Sequence, residues 1–230
     1  MKFLKKIYYS KYSKKSFSIS YVDLVIDRMF SKIKKGVYID LGCNHPIKYN
    51  NTYLLYKRGW SGINIDSDSK SILEFNKFRK NDHNVNALVS SEKQKIKYYF
   101  YHDRSALNTV DVNLAKKRIA KPKKILSLNS TTLNLIIENS PFKKSKINLL
   151  SVDIENHEYE ALKNFNFNEY KVDVIVVEYT DLQQQKLEIY NQSLESIVKS
   201  KIYNLLINQN YKLINWVNSD LIFARNDFKI

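Results

Sequence analysis

Hydrophobic and polar positions along the chain switch between two periods, and the switch points outline its elements. Tyr21–Ile33 places Tyr21, Val22, Val25, Ile26, Met29, Phe30 and Ile33 at helical spacing. After Gly36 the period shortens. Val37-Tyr38-Ile39-Asp40-Leu41-Gly42 is a β-rich run ending in an acid and a glycine. Asn51–Arg58 predicts a helix with Gly59 at its C-terminus. Ile63–Asp66 predicts a second strand, again ending in an acid, followed by a helix over Asp68–Arg79 and a third strand over Asn84–Val89. Strands alternating with helices of about ten residues imply a parallel, doubly wound sheet.

The alternation pauses at Lys95–Tyr101, which suits an extra antiparallel strand, and a polar, basic loop region with a short helix runs on to about Lys124. Thr131–Glu138 then predicts a helix, Ile147–Asp153 a strand, His157–Asn164 a helix, and Val172–Val177 a strand closed by Glu178. Leu194–Asn208 reads as the last long helix, and Tyr211–Trp216 with Leu221–Ala224 as a closing strand pair. No repeat and no Pro/Gly-rich linker interrupts the pattern. The expectation is one α/β domain over 36–230, preceded by a basic arm and helix over 1–35. The arm, Lys2–Lys15, mixes lysines with Phe3, Leu4, Ile7 and tyrosines. Three forms suit it: a frayed tail, a helix packed on the domain, or a segment in weak peripheral contact with acidic lipid.

Composition narrows the class. A chain of 230 residues, 43% hydrophobic and 13% aromatic, buries a substantial core and is not disordered. The lone Cys43 excludes a disulfide framework and a four-cysteine zinc site, and fits a reducing compartment. No apolar run reaches the roughly 18 residues of a membrane span, and the N-terminus lacks the apolar stretch of a signal peptide. A soluble cytoplasmic protein is expected. The net charge of +15 raises the question of nucleic acid, but 32 Lys, six Arg and 25 Asn are what an AT-rich genome produces whatever the function. A surface that reads bases favours arginine, so no specific nucleic-acid partner is expected.

The candidate chemistry gathers at strand ends. Asp40, Asp66, Asp153 and Glu178 each close a predicted strand, and Asn86 lies near the end of another. Ligands of open parallel sheets bind at that edge. For any one acid taken alone, helix capping is the competing reading. Gly42, in the turn after the first strand, lets backbone approach a ligand. Asp66 follows Asp40 at the spacing of an acid that hydrogen-bonds ribose hydroxyls, while the Gly-x-Gly-x-x-Gly fingerprint of NAD binding is absent. In Ser151-Val152-Asp153-Ile154-Glu155-Asn156-His157-Glu158, an extended chain would point Asp153, Glu155 and His157 to one side. That side could remove a proton or hold a divalent cation. The competing reading makes Glu155 or Asn156 a helix cap.

The ordered set Tyr38–Pro46, Asn51-Thr52-Tyr53-Leu54, Arg58–Asp66, Asn86–Ser90, Ala106–Thr109, Thr132-Leu133, Leu150–Glu155 and Val176-Val177-Glu178 resembles the FkbM family of S-adenosylmethionine (SAM) dependent methyltransferases. The resemblance runs from about Gly36 to Ala224. It implies a Rossmann-like class I methyltransferase fold, a mostly parallel seven-stranded sheet with a reversed last strand and helices on both faces. It also implies SAM as cofactor and methyl transfer to an oxygen, most often a sugar hydroxyl of a glycan or metabolite. By position, Asp40, Gly42 and Asn44 would line the methionine part of SAM, with Asn51 beside them. Asp66 would hold the ribose, and Asn86 and Ala87 would lie near the adenine. Asp153, Glu155, His157 and Glu178 would face the acceptor, and a metal, if one is used, would be held by Asp153, Glu155 and His157. The chain departs from the family pattern at two points: His45-Pro46 stands where a second glycine is common, and Asn156 replaces the glycine of Asp-x-Glu-Gly. Asparagine tolerates the left-handed conformation that such a glycine adopts. A divalent-metal enzyme and a basic nucleic-acid-binding protein are the competing functions.

Overall fold

The computed structural model describes residues 13–179 and 193–229. Most of the expected basic arm therefore lies outside the described residues. The first three strands are β1 (Val37–Leu41), β2 (Ser61–Asp66) and β3 (His83–Asn86). A smaller sheet follows, of β4 (Leu88–Val89), β5 (Lys95–Phe100) and β6 (Lys124–Thr131), before β7 (Leu149–Val152), β8 (Val174–Glu178), β9 (Tyr211–Val217) and β10 (Asp220–Arg225). The main sheet has the order β3-β2-β1-β7-β8-β10-β9. Its strands are parallel from β3 to β8, and β10 runs antiparallel to both its neighbours. This is the expected mostly parallel sheet with a reversed final strand.

Helices join the strands: α1 (Val22–Met29), α2 (Tyr53–Lys57), α3 (Ser69–Phe78), α4 (Val112–Lys117) and α5 (Leu133–Glu138), then α6 (Glu158–Leu162), α7 (Phe167–Tyr170), α8 (Leu194–Lys199) and α9 (Lys201–Asn208). Local chemistry sets several starts. Asp68 caps α3 by accepting the Lys70 N–H, and Thr132 caps α5 by accepting the Leu135 N–H. Among the described residues, no helix is long and apolar enough to cross a membrane.

Three elements differ from the sequence pattern. The single strand expected over Asn84–Val89 divides at Ala87: β3 pairs with β2 in the main sheet, and β4 pairs with β6 in the small one. Strand β6 begins at Lys124, where the expected loop ends, and runs through residues to which the pattern assigned no element up to Thr131, the expected start of the next helix. Its inner residues Leu126 and Leu128 alternate with exposed Ser127 and Asn129, and its pairing with β5 over Lys124–Asn129 holds it. The long helix expected over Leu194–Asn208 breaks at Ser200, which is extended (φ −67°, ψ 147°) and caps α9 through the Tyr203 N–H.

Period-2 alternation divides the apolar side chains between the two faces of the sheet. Tyr38, Leu149, Val174, Val176, Ile222 and Ala224 pack with Val22, Ile26, Met29 and Phe30 from α1 and the residue after it. Ile39, Leu41, Leu150, Val152, Ile175, Val177, Leu221 and Phe223 pack on the other face with α5, α6, α7 and α9. Arg58 ties α1 to the domain by donating to the Phe30 and Ile33 carbonyls and to Asp27.

Candidate active site

A cavity of about 310 Å³ opens at the carboxyl ends of β1, β2 and β7, the edge at which open α/β sheets bind ligands. Leu41 and Gly42, Ile65 and Asp66, and Asp153 come from those strand ends. Arg104, Asn108 and Thr109 wall it from the excursion between β5 and β6.

At the β2 end, Asp66 lines the cavity, and its two oxygens accept the backbone N–H groups of Asn44 (2.9 Å) and Asp68 (2.7 Å). Both bonds favour the charged form, yet burial outweighs them and pushes the carboxyl up to about 6. Asn44 and Ala87 also line the cavity. Asn44 is left-handed (φ 50°), the turn geometry that carries its N–H to Asp66. The Ala87 N–H and the Asn86 side chain both donate to the Asp66 carbonyl oxygen, which leaves Asn86 exposed and outside the lining. Ser71, on the first turn of α3, is 1% exposed and lines the cavity, and its hydroxyl has no partner among the described residues. In the neighbouring turn, His45 Nδ1 accepts the Ile47 and Lys48 N–H groups, so an imidazole organises the turn where a second glycine is common.

Asp40 and Asn51 lie elsewhere. Asp40 shares its strand face with Tyr38, the face turned to α1, and accepts from Asn50 (2.9 Å) and Thr52 (2.8 Å). Beneath it Arg79, fully buried, donates to Asp82, Thr52 and the Tyr38 hydroxyl. The Asn51 amide donates to Ser151 (3.2 Å). Neither Asp40 nor Asn51 lines the cavity. One strand-register step separates Asp40 from Leu41, which does.

Gly42 has a role that the sequence does not reveal. Its φ is +84°, and a Cβ there would stand 1.7 Å from the Asp153 carbonyl oxygen. The close approach is to the β7 turn, and Gly42 also lines the cavity. The Asp153 N–H donates to the Leu41 carbonyl (2.9 Å), so the first turn and the acidic turn are held as one unit.

At the β7 end the chain is not extended. Glu155 (φ 58°) and Asn156 (φ 73°) are both left-handed, and the Glu158 carboxylate accepts the Ile154 and Asn156 N–H groups. The backbone winds instead of alternating, so His157 parts from the acids. Carboxylate oxygens of Asp153, Glu155 and Glu178 lie within 4.8 Å of one another. Glu178, absent from the cavity lining, takes the place in this group that the extended-chain reading gave to His157. Crowding shows in the protonation equilibria. Asp153 is held well above the usual carboxylate range, by desolvation first and then by the Glu178 charge. Desolvation and the Asp153 charge raise Glu155 to about 7, against the pull of Arg118. Desolvation and Glu155 raise Glu178 to about 8.

His157 still lines the cavity, with Nε2 3.2 Å from the Ser90 hydroxyl. Its pKa lies below the ordinary imidazole value. Burial lowers it, outweighing the upward pull of Glu160 and Asp111.

Three anchoring contacts went unread in the sequence. The Thr109 hydroxyl donates to the Glu155 carbonyl (2.8 Å), Arg118 pairs with the Glu155 carboxylate, and the Arg104 N–H donates to Asp68. Together they clamp the β5–β6 excursion to both ends of the cavity. Ala106–Thr109 belongs to the family-like set, the one signal pointing to this wall. Arg118, inside a run of lysines, gives none.

A seven-stranded sheet of this order, with one reversed strand and a carboxyl-edge cavity bounded by the acid that ends β2, defines the methyltransferase class of α/β domain. The Methyltransferase FkbM domain matches residues 40–213, most of the chain, and the chain belongs to that family. It is a methyltransferase. No curated protein matches the sequence.

Proposed function

We propose that the protein is a SAM-dependent O-methyltransferase that acts on a hydroxyl of a saccharide or related metabolite. The observation that carries the reading is one cavity with two chemically distinct ends. Asp66, Ala87 and the unpartnered Ser71 hydroxyl offer polar and apolar contacts suited to a nucleoside. Asp153, Glu155 and His157 offer acceptors suited to a hydroxyl-rich substrate. These residues fit SAM. When bound, SAM supplies an electrophilic methyl group on a sulfonium.

An Asp66 carboxylate with a lone pair left on each oxygen accepts from ribose hydroxyls. At the other end, an acceptor hydroxyl is a poor nucleophile near neutral pH, so a base takes its proton as the new C–O bond forms and the S–C bond breaks. Asp153 is the base in this reading, because it lines the cavity and its carboxyl, raised above the ordinary range by desolvation and the Glu178 charge, holds a proton more tightly than a free carboxylate. His157, kept neutral by burial, is a second acceptor for that proton. The family resemblance supports the saccharide class, and the carboxylates support it by suiting hydroxyl recognition.

Asp153, Glu155 and Glu178 also form a hard-oxygen donor set suited to Mg²⁺ or Mn²⁺. That set favours a metal-assisted version in which a cation lowers the acceptor's own pKa. The Arg118–Glu155 pair competes with such a cation.

Calorimetry with SAM and S-adenosylhomocysteine, followed by labelled methyl transfer to a saccharide panel, tests the reading. Micromolar cofactor binding and label in an ether-linked methyl group support it. No binding at millimolar SAM overturns it. Loss of transfer in chelator, restored by Mg²⁺ or Mn²⁺, selects the metal-assisted version.

A further inference from the structure

The excursion that walls the cavity also shows solvent an unusual outer surface. Between Asp111 and Glu138 no acidic residue occurs, while Lys116, Lys117, Lys121, Lys123 and Lys124 do; Arg118 of the same run turns inward to Glu155. Within that run Ile119 is 100% exposed and Ile125 58% exposed, and Val112 at its start is 40% exposed. The antiparallel register sets Lys95 opposite Asn129, Lys97 opposite Ser127 and Tyr99 opposite Ile125, so these residues share one face of the β5–β6 ribbon. Lys95, Lys97, Ser127, Asn129 and Ile125 on that face are all exposed. Bare aliphatic side chains set in a lysine-rich stretch that holds no acidic residue match the boundary between lipid headgroups and acyl chains. Each lysine gains from an anionic leaflet, and Ile119 gains from leaving water. A soluble polyanion would use the lysines and leave the isoleucines unexplained.

We propose that the β5–β6 excursion docks the protein on an anionic membrane surface, with Ile119 and Ile125 entering the headgroup layer and Lys121 and Lys123 pairing with acidic lipid. Asn108, Thr109 and Val110 belong to the same excursion and line the cavity, so docking holds the cavity wall beside the bilayer. The proposal goes beyond the methyltransferase reading and does not depend on it.

The test is flotation of the full chain with vesicles of phosphatidylcholine, with and without phosphatidylglycerol. The protein floats with the anionic vesicles and stays behind with the neutral ones. A lysine near such a surface contributes about fivefold to partitioning, so Lys121→Gln with Lys123→Gln lowers it about 25-fold. Ile119→Asp lowers it roughly tenfold without altering thermal unfolding, because the side chain touches solvent alone. A bimane label on Ile119→Cys shifts to the blue on anionic vesicles; Cys43, 2% exposed, does not take the label. Equal flotation with neutral vesicles overturns the proposal. So does anionic binding that survives all three substitutions, which assigns the contact to another surface. A soluble sulfated polysaccharide that binds Ile119→Asp as well as the wild type, with no blue shift on vesicles, replaces the membrane with a polyanion.

Discussion

Replacing Gly42 by alanine separates two costs that usually arrive together. At φ +84° any Cβ is strained, by about 1–2 kcal/mol. At Gly42 the Cβ would also stand 1.7 Å from the Asp153 carbonyl oxygen, a backbone atom that no rotamer change can move. Relief requires the β1 turn to part from the β7 turn, which breaks the 2.9 Å bond from the Asp153 N–H to Leu41 and adds about 1 kcal/mol or more. The total is about 3–5 kcal/mol. Gly59 supplies the control, since its φ is +88° with nothing within 4 Å of its Cβ position. Gly59→Ala therefore costs only the conformational part, about 1–2 kcal/mol. Urea unfolding followed by tryptophan fluorescence measures both, with Trp60 buried in the core as a reporter. Under mild conditions the folded Gly42→Ala protein should also lose turnover, because Asp153 moves with its turn. Equal destabilisation by the two substitutions would refute the steric reasoning and return Gly42 to a ligand-approach role.

Asp66→Ala removes a charge-assisted ribose contact of about 1.5–3 kcal/mol and should weaken SAM binding roughly ten- to a hundredfold by calorimetry, with the sheet intact. Unchanged affinity would place the ribose elsewhere. Asp153→Asn should lower turnover on the order of a hundredfold while SAM affinity barely changes, and a matching loss in both would mark Asp153 as a cofactor contact. Glu158 is raised to about 8 by burial, so the folded state holds its proton more tightly than the unfolded state. Its contribution to stability is complete below the ordinary glutamate range and is lost as pH rises through about 8, on the order of a few kcal/mol. Thermal melts should fall across that window in the wild type and less steeply in Glu158→Gln, where Asp66, Glu155 and Glu178 keep part of the slope; parallel curves would show that Glu158 contributes none of it.

The sequence by itself determined the sheet's content and most of its order of events. Strands and helices alternate because apolar residues recur at two periods, and that signal is local. Turn chemistry was legible for the same reason: Asp68 lies just before the α3 run, and Asn156 replaces a glycine in a conformation that asparagine tolerates. The acids at the ends of β2, β7 and β8 announced the edge where the cavity opens.

Only the tertiary structure decided which of those acids face it. Asp40 belongs to the α1 side because strand parity pairs it with Tyr38, and what covers that side, Arg79, Asn50 and Thr52, comes from outside the strand. His157 leaves the acid group because the buried Glu158 carboxylate bonds two backbone N–H groups and winds the chain left-handed, and Glu178 enters the group from the neighbouring strand. Strand β6 is held by its pairing with β5, and Ser200 ends a helix that apolar spacing would continue. The covering of Asp40, the entry of Glu178 and the pairing of β6 rest on contacts between separate segments, while the Glu158 and Ser200 turns are local but run against the apolar period around them. Period and capping report what a residue does to its own backbone, and they hold no record of what will pack against it.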